Sequence, residues 1–210
     1  MTGWYIVILI LMFQFGTPVW GGVISDPYTG TPTQINGTPG ASTIFEAENF
    51  DKGGEGVAFH DPHNCGANNG AGCSCTQTYR PDGVNVCAIG AINFVSYDDA
   101  GLWVNYTIDV ASSGAYTVEL FVALNDAGCC AAAAYHVEVD GYAYPSVALG
   151  PALTGSWTTF DWRGKTWVAL LPGRHVLRIV VDKGWFNFDT IRIRFAAAIE
   201  WQQVPVWRNY

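Results

Sequence analysis

The chain has 210 residues, half of them apolar, with 10 Lys and Arg against 18 Asp and Glu and a formal net charge of −8. This balance argues against a nucleic-acid partner, which needs a cationic face to meet the phosphates, and against a polybasic membrane-surface protein. It suits a neutral ligand or a bound cation instead.

The chain begins with an apolar run from Trp4 to Phe15, followed by the small residues Gly16 and Thr17. The run is too short to span a bilayer comfortably, and it predicts a signal peptide over residues 1–22 although its start lacks positive charge. A short membrane anchor is the alternative, and only then would the protein contact a membrane. We therefore expect a secreted, extracellular protein.

Residues 23–43 are rich in Pro, Gly and Thr, which predicts an extended linker without a packed core. From residue 44 to 195 the sequence alternates between apolar and polar residues in short runs, which predicts half-buried strands joined by Gly/Pro turns. The tail 196–210 is apolar for an exposed end. The fold class expected from this pattern is all-β, a jelly-roll β-sandwich of two antiparallel sheets.

Four runs alternate most clearly, and each predicts a strand with one buried face. The residues expected on the buried faces are Tyr116, Val118, Leu120 and Val122; Tyr135, Val137 and Val139; His175, Leu177, Ile179 and Val181; and Ile191, Ile193 and Phe195. Asp98 and Asp99 are interpreted as a polar turn.

An even number of cysteines in a chain with a signal-like start predicts disulfide bonds. Four cysteines surround a Gly/Asn-rich loop and two are adjacent further along the chain: Cys65, Cys73, Cys75, Cys87, Cys129 and Cys130. Their spacing leaves the pairing open. A zinc site is the alternative, although no pair has the C-x-x-C spacing.

The segment around residues 45–50 carries two acids, Glu46 and Glu48. In a strand these alternate residues point the same way, about 7 Å apart. Like charges so placed repel each other unless a cation lies between them, and calcium prefers several oxygen ligands. Two solvated acids on an edge strand are the alternative. A catalytic pair is not expected, because catalytic carboxylates face each other across the substrate.

Six segments, in order along the chain, resemble the carbohydrate-binding modules of family 6 and the related family 35. They are Phe45–Asp61, Tyr79–Asn85, Ala100–Thr107, His136–Gly141, Gly155–Trp157 and Gly184–Ile191. The resemblance implies a non-catalytic jelly roll that binds a polysaccharide or glycan and is stabilised by a structural calcium ion (Ca2+). No G-x-S-x-G, H-E-x-x-H or P-loop motif suggests an enzyme instead.

The resemblance also implies which residues bind the ion. Its ligands would be Glu46 and Glu48 of the first strand and Asp189 of the last strand. The main-chain carbonyl of Arg80 is a further, less direct candidate. Such an ion would join the first and last strands.

The sugar site implied by the resemblance is a cleft in the loops at one end of the sandwich. Two aromatic rings, Tyr97 and Trp157, would flank a sugar, and Asn187 would reach its hydroxyl groups. Trp185 would add a stacking surface, and Phe94 replaces Tyr97 if the register slips.

Two loops, 61–79 and 125–134, differ from the glycine-rich loops usual in the family, which leaves a second site on the sandwich face open. Such modules are usually fused to a glycoside hydrolase, and we expect none in these 210 residues, which favours a rival hypothesis. In it the protein is a structural or adhesive extracellular protein that self-assembles or joins a matrix through its linker and aromatic tail. A small polysaccharide lyase or hydrolase on a jelly roll is the third hypothesis.

Overall fold

The computed structural model describes residues 25–62, 79–80, 82–96, 98–125 and 132–198. Within them, thirteen strands form two packed sheets, and one short 3-10 helix connects two of the strands. The predicted all-β sandwich is therefore confirmed. No helix in this part of the chain is long and apolar enough to cross a membrane.

The first sheet has seven strands, two of them long. They are β1 Thr33–Ile35, β3 Phe59–His60, β6 Trp103–Val110, β8 Ala134–Val139, β9 Tyr142–Ala143, β10 Val147–Ala148 and β12 Gly173–Lys183. The main path runs β1-β6-β12-β8-β10, with β3 beside β6 and β9 beside β8. Its strand pairs are antiparallel except that β1 runs parallel to β6.

The second sheet has six strands and carries most of the residues that concern function. They are β2 Ser42–Glu46, β4 Val86–Ile89, β5 Ile92–Val95, β7 Gly114–Ala123, β11 Asp161–Leu170 and β13 Asn187–Ala198. The order is β11-β7-β13-β5-β4, and β2 also pairs with β13. Strand β13 is thus central, with β7 on one side and both β2 and β5 on the other.

The core lies between the sheets and consists of the side chains that alternation predicted. Each predicted inward residue of β7, β8 and β13 is buried, as are Leu177, Ile179 and Val181 of β12. His175 differs, because it lies near the start of β12 and bonds through Nδ1 to Asp140 at 2.6 Å.

The segment predicted to be a linker packs on the sandwich where the structure describes it. Strand β1 adds to the first sheet beside β6, and Ile35 is 1% exposed. Further upstream, the Ser25 hydroxyl donates to the buried Asp51 carboxylate at 2.7 Å. The prediction of an unpacked spacer over 23–43 is therefore wrong for these residues. Proline is compatible with the start of an edge strand, and Pro32 directly precedes β1.

Both ends of the chain carry predictions that depend on apolar segments. The predicted signal peptide, residues 1–22, lies outside the described residues. Strand β13 continues to Ala198, so the sheet extends three residues beyond the predicted boundary at 195. The rest of the predicted tail 196–210 lies outside the described part of the chain.

Candidate functional site

Three carboxylates meet where β2 ends beside the start of β13. Glu46 is the last residue of β2 and lies opposite Thr190, the neighbour of Asp189 on β13. The chain then enters a 3-10 helix, Ala47–Asn49, which carries Glu48. One carboxylate oxygen from each of the three acids lies within 4.8 Å of the others. These three residues are called the acidic cluster.

Glu48 reaches the acidic cluster by a route that alternation did not predict. The strand ends at Glu46, so the prediction that Glu46 and Glu48 share one strand face is wrong. The turn is fixed by Ala47, which is fully buried and whose carbonyl accepts a hydrogen bond from the Tyr106 hydroxyl at 2.7 Å. The turn brings the two carboxylates together while hiding one of them.

The electrostatics of the acidic cluster are unfavourable for three anions. Glu48 is 3% exposed, and its Oε2 has no hydrogen-bond partner among the described residues. Burial, with the charges of Glu46 and Asp189, raises the pKa of Glu48 to about 8. Burial and the charge of Glu46 raise the pKa of Asp189 to about 6. Three carboxylates supply the oxygen ligands that a divalent cation such as calcium prefers. A cation would also satisfy the buried Oε2 of Glu48.

Arg80, a predicted carbonyl ligand, has a clear role through its side chain. The guanidinium is 3% exposed and donates to the main-chain carbonyls of Glu48 and Phe50 at 2.9 and 2.5 Å. It also donates to the Asp51 carbonyl at 3.1 Å and pairs with the Asp82 carboxylate. Arg80 therefore supports the turn that carries Glu48. Ligation through its carbonyl stays a prediction.

A second site is a cleft of about 350 Å³. Its walls are the β4–β5 hairpin, the loop before β11 that carries Trp157, and the loop before β13 that carries Trp185 and Asn187. The described residues that line the cleft include no Asp, Glu, Lys, Arg or His. The structure thus brings together three of the four residues predicted to bind sugar.

Trp157 lies at the cleft and is 36% exposed. Two amides hold its loop. The Asn187 side chain donates from Nδ2 to the Trp157 carbonyl at 2.6 Å. In the amide orientation that satisfies both neighbours, Asn125 lies between the Gly155 carbonyl at 3.1 Å and the Trp157 indole N–H at 3.3 Å. Trp157 is therefore held at two points: its ring N–H bonds to Asn125 and its main-chain carbonyl bonds to Asn187.

Asn187 differs from the predicted role, because its side-chain amide already forms two hydrogen bonds within the protein. The residue is 6% exposed; its Oδ1 accepts from the Ser96 hydroxyl at 2.8 Å while Nδ2 donates to Trp157. One N–H and one acceptor site of the amide remain for a ligand. Asn187, at the start of β13, thus ties the Trp157 loop to Ser96, the residue after β5. It makes these bonds whether or not a sugar is bound.

Trp185 is the most exposed ring of the cleft, at 56%. Its backbone is left-handed, with φ of +73°, which is rare for a bulky residue. Its N–H donates to the main-chain carbonyl of Asp98 at 2.9 Å. Asp98, interpreted from sequence as part of a polar turn, is 1% exposed, and no local pattern distinguishes it from a surface acid.

The remaining predictions at the cleft fall partly outside the described residues. Tyr97 lies outside them. Phe94, its alternative, lines the cleft, is 4% exposed and packs edge-on against Phe160 with ring centroids 5.4 Å apart. Of the six cysteines, Cys87 alone lies within the described part, buried at the cleft wall. The disulfide and zinc hypotheses stay predictions.

Comparison with protein families matches residues 67–194, more than half of the chain, to the family described as "Carbohydrate binding module (family 6)". A search of curated proteins found no match. Among solved structures, a family 35 carbohydrate binding module from Clostridium thermocellum is similar with a TM-score of 0.51. It is 19% identical, over 75% of this chain and 99% of that chain.

Two further solved structures are similar at lower TM-scores. The C-terminal CBM6 of LamC from Zobellia galactanivorans is 18% identical over 73% of this chain and 99% of that chain, with a TM-score of 0.49. The module CBM6cm-2 from Cellvibrio mixtus lichenase 5A, in complex with cellotriose, is 29% identical. It aligns over 49% of this chain and 76% of that chain, with a TM-score of 0.42.

Proposed function

Since the chain belongs to the carbohydrate binding modules of family 6, we propose that it binds a neutral polysaccharide or glycan in the cleft that holds Trp157 and Trp185. The observation that carries this proposal is that two exposed indole rings, on separate loops, line one uncharged cleft. A pyranose has apolar C–H faces that pack on aromatic rings. An anionic sugar would meet no cation in the described lining and would be repelled by the net charge of −8.

Asn187 serves this function in two ways. Its bond to the Trp157 carbonyl fixes the position of that loop, so less conformational freedom is lost when a sugar binds. Asn187 also lines the cleft, where its remaining N–H and acceptor site would offer sugar hydroxyls both hydrogen-bond roles. Phe94 contributes apolar surface from the β4–β5 hairpin.

We further propose that the acidic cluster, Glu46, Glu48 and Asp189, holds a structural calcium ion, with main-chain carbonyls such as that of Arg80 completing the ligand set. The support is the raised pKa of Glu48 and of Asp189 together with the unsatisfied Oε2 of Glu48. A bound cation would offset this repulsion. It would also join β2 to β13 and add its binding free energy to folding.

Binding without cleavage, outside the cell, completes the proposal. The described lining of the cleft has no carboxylate pair across a sugar, which glycoside hydrolysis requires. Secretion is supported by the apolar start of the chain and by its six cysteines. The rival role as an assembly unit is less favoured, because the described part of the proposed linker packs on the sheet.

A glycan array followed by calorimetry tests the proposal, with neutral β-glucans, xylans and galactans beside uronate polymers. Trp157→Ala should lose about tenfold or more in affinity. Trp167→Ala is the matched control, because Trp167 is 59% exposed on the outside of β11 and should not affect binding. Equal losses in both variants, or no binding to any glycan, would contradict the proposal. Release of new reducing ends from a bound polymer would contradict the non-catalytic part.

A further inference from the structure

The loop that carries Trp185 adopts a backbone conformation that its own sequence does not favour. A left-handed φ of +73° at a non-glycine residue costs about 1–3 kcal/mol and persists only where the surrounding structure enforces it. Packing constrains the indole only in part, because the side chain is 56% exposed. Contacts to the backbone of the loop also hold the conformation.

Asp98 supplies those contacts from beneath the loop. Its main-chain oxygen accepts from the Trp185 N–H at 2.9 Å, and its Oδ1 accepts from the Phe186 N–H at 2.8 Å. Gly184 allows the approach, because a Cβ atom there would overlap the main-chain oxygen of Asp98. Two consecutive amides of the loop are thus bonded to one residue.

Burial of the Asp98 carboxyl at this position costs folding free energy. It is 1% exposed, and its Oδ2 has no hydrogen-bond partner within the described part of the chain. Burial, with the charge of Asp99, raises its pKa well above the ordinary range, although the Phe186 and Trp185 N–H groups act against this rise. A strained residue and a desolvated acid in direct contact are more typical of a functional site than of a structural turn.

We propose that Asp98 is a positioning residue for sugar binding, which clamps the backbone at residues 184–186 so that the Trp185 ring stays exposed at the cleft. The inference rests on the proposed function, since it concerns the same cleft. A ring held in its binding position loses less freedom when a sugar packs on it. Asp98 itself touches no sugar.

A double-mutant cycle tests this role, measured by calorimetry with the best oligosaccharide from the array. Asp98→Ala and Trp185→Ala should each weaken binding by about tenfold, whereas Asp98→Ala should add less than about twofold when Trp185 is already Ala. Asp98→Asn keeps an oxygen that accepts from the Phe186 N–H and should bind within about threefold of the wild type. A purely structural residue would show no coupling to Trp185, and the Asn variant shows that the oxygen accepting from Phe186 is the atom responsible.

Melting temperatures are measured first for every variant. If Asp98→Ala does not fold, Gly184→Ala takes its place, because its methyl group would push the loop away from Asp98. Equal losses from the Asp98 change with and without Trp185, or an unchanged affinity, overturn the inference. These two outcomes overturn the role of Asp98 alone when the wild type binds a glycan and Trp157→Ala does not. A wild type that binds no glycan overturns both proposals.

Discussion

Replacing Glu48 with Gln should stabilise the metal-free protein and remove its response to calcium. The substitution keeps the size of the side chain and replaces a carboxyl that is only 3% exposed with an amide that cannot ionise. It therefore acts like permanent protonation. The expected effects have opposite signs with and without the ion, which a general destabilisation cannot imitate.

The magnitude follows from the raised pKa of Glu48, about 8 against an ordinary 4.5. A carboxyl whose pKa is raised by folding contributes stability that is complete below the ordinary pKa and is lost as the pH rises through the folded value. At pH 7 the folded protein still holds this proton while the unfolded chain has released it, which costs about 3 kcal/mol. Glu48→Gln should recover up to that amount, or about 6–12 °C in melting temperature.

The assay is thermal unfolding at pH 7 with a chelator and with millimolar calcium. In chelator, Glu48→Gln should melt above the wild type; in calcium, the wild type should gain about 3 kcal/mol if the ion is at a hundred times its Kd, and the variant far less. Glu46→Gln is the control, because Glu46 is exposed. It should weaken calcium binding but raise the chelated melting temperature less.

Two results would refute this reasoning. A chelated Glu48→Gln protein that melts below the wild type would show that the buried carboxylate is already satisfied in the folded protein. An equal melting temperature of the wild type in calcium and in chelator would contradict the proposed ion site.

Three further predictions follow from the same contacts. Without metal, the melting temperature should fall between pH 5 and 8, as Asp189 and Glu48 ionise in the folded protein at about 6 and 8, and calcium should flatten that fall; a rise over this range would contradict it. Arg80→Met should cost about 3–5 kcal/mol in urea denaturation, because its buried guanidinium bonds three carbonyls and Asp82, and a loss under 1 kcal/mol would contradict this role. Trp185→Gly should keep or raise the melting temperature, since glycine tolerates the left-handed backbone, and should still weaken sugar binding in calorimetry; lower stability with unchanged affinity would contradict both parts.

Much of the core was predictable because its signal is local. A strand exposes alternate residues to opposite faces, so Tyr116 through Val122 indicated their own burial without knowledge of the partner strands. The acidic cluster was visible in part: Glu46 and Glu48 are two residues apart, but a turn and not a shared strand face brings them together. The resemblance supplied Asp189, which no spacing rule connects to Glu46.

What the sequence did not indicate depends on contacts between distant segments. The end of β2 at Glu46 is followed by a turn held by Tyr106, 59 residues along the chain from Ala47. The burial of Asp98 depends on Phe186, 88 residues away, so two adjacent aspartates were interpreted as a surface turn. Strand β1 is held by a parallel pairing with β6, for which a Pro-rich segment carries no pattern.

The start of β13 places the two proposed sites on one short piece of backbone. Asn187, which ties down the Trp157 loop, and Asp189, which belongs to the acidic cluster, are separated only by Phe188, and Phe188 is fully buried opposite Val95. If calcium bound at Asp189 and restricted Asn187 beyond its bonds to Ser96 and Trp157, sugar affinity would increase with calcium. Thermodynamic reciprocity then requires the sugar to tighten calcium by the same factor. If both proposed sites are occupied, the polysaccharide and the ion would bind as a coupled pair.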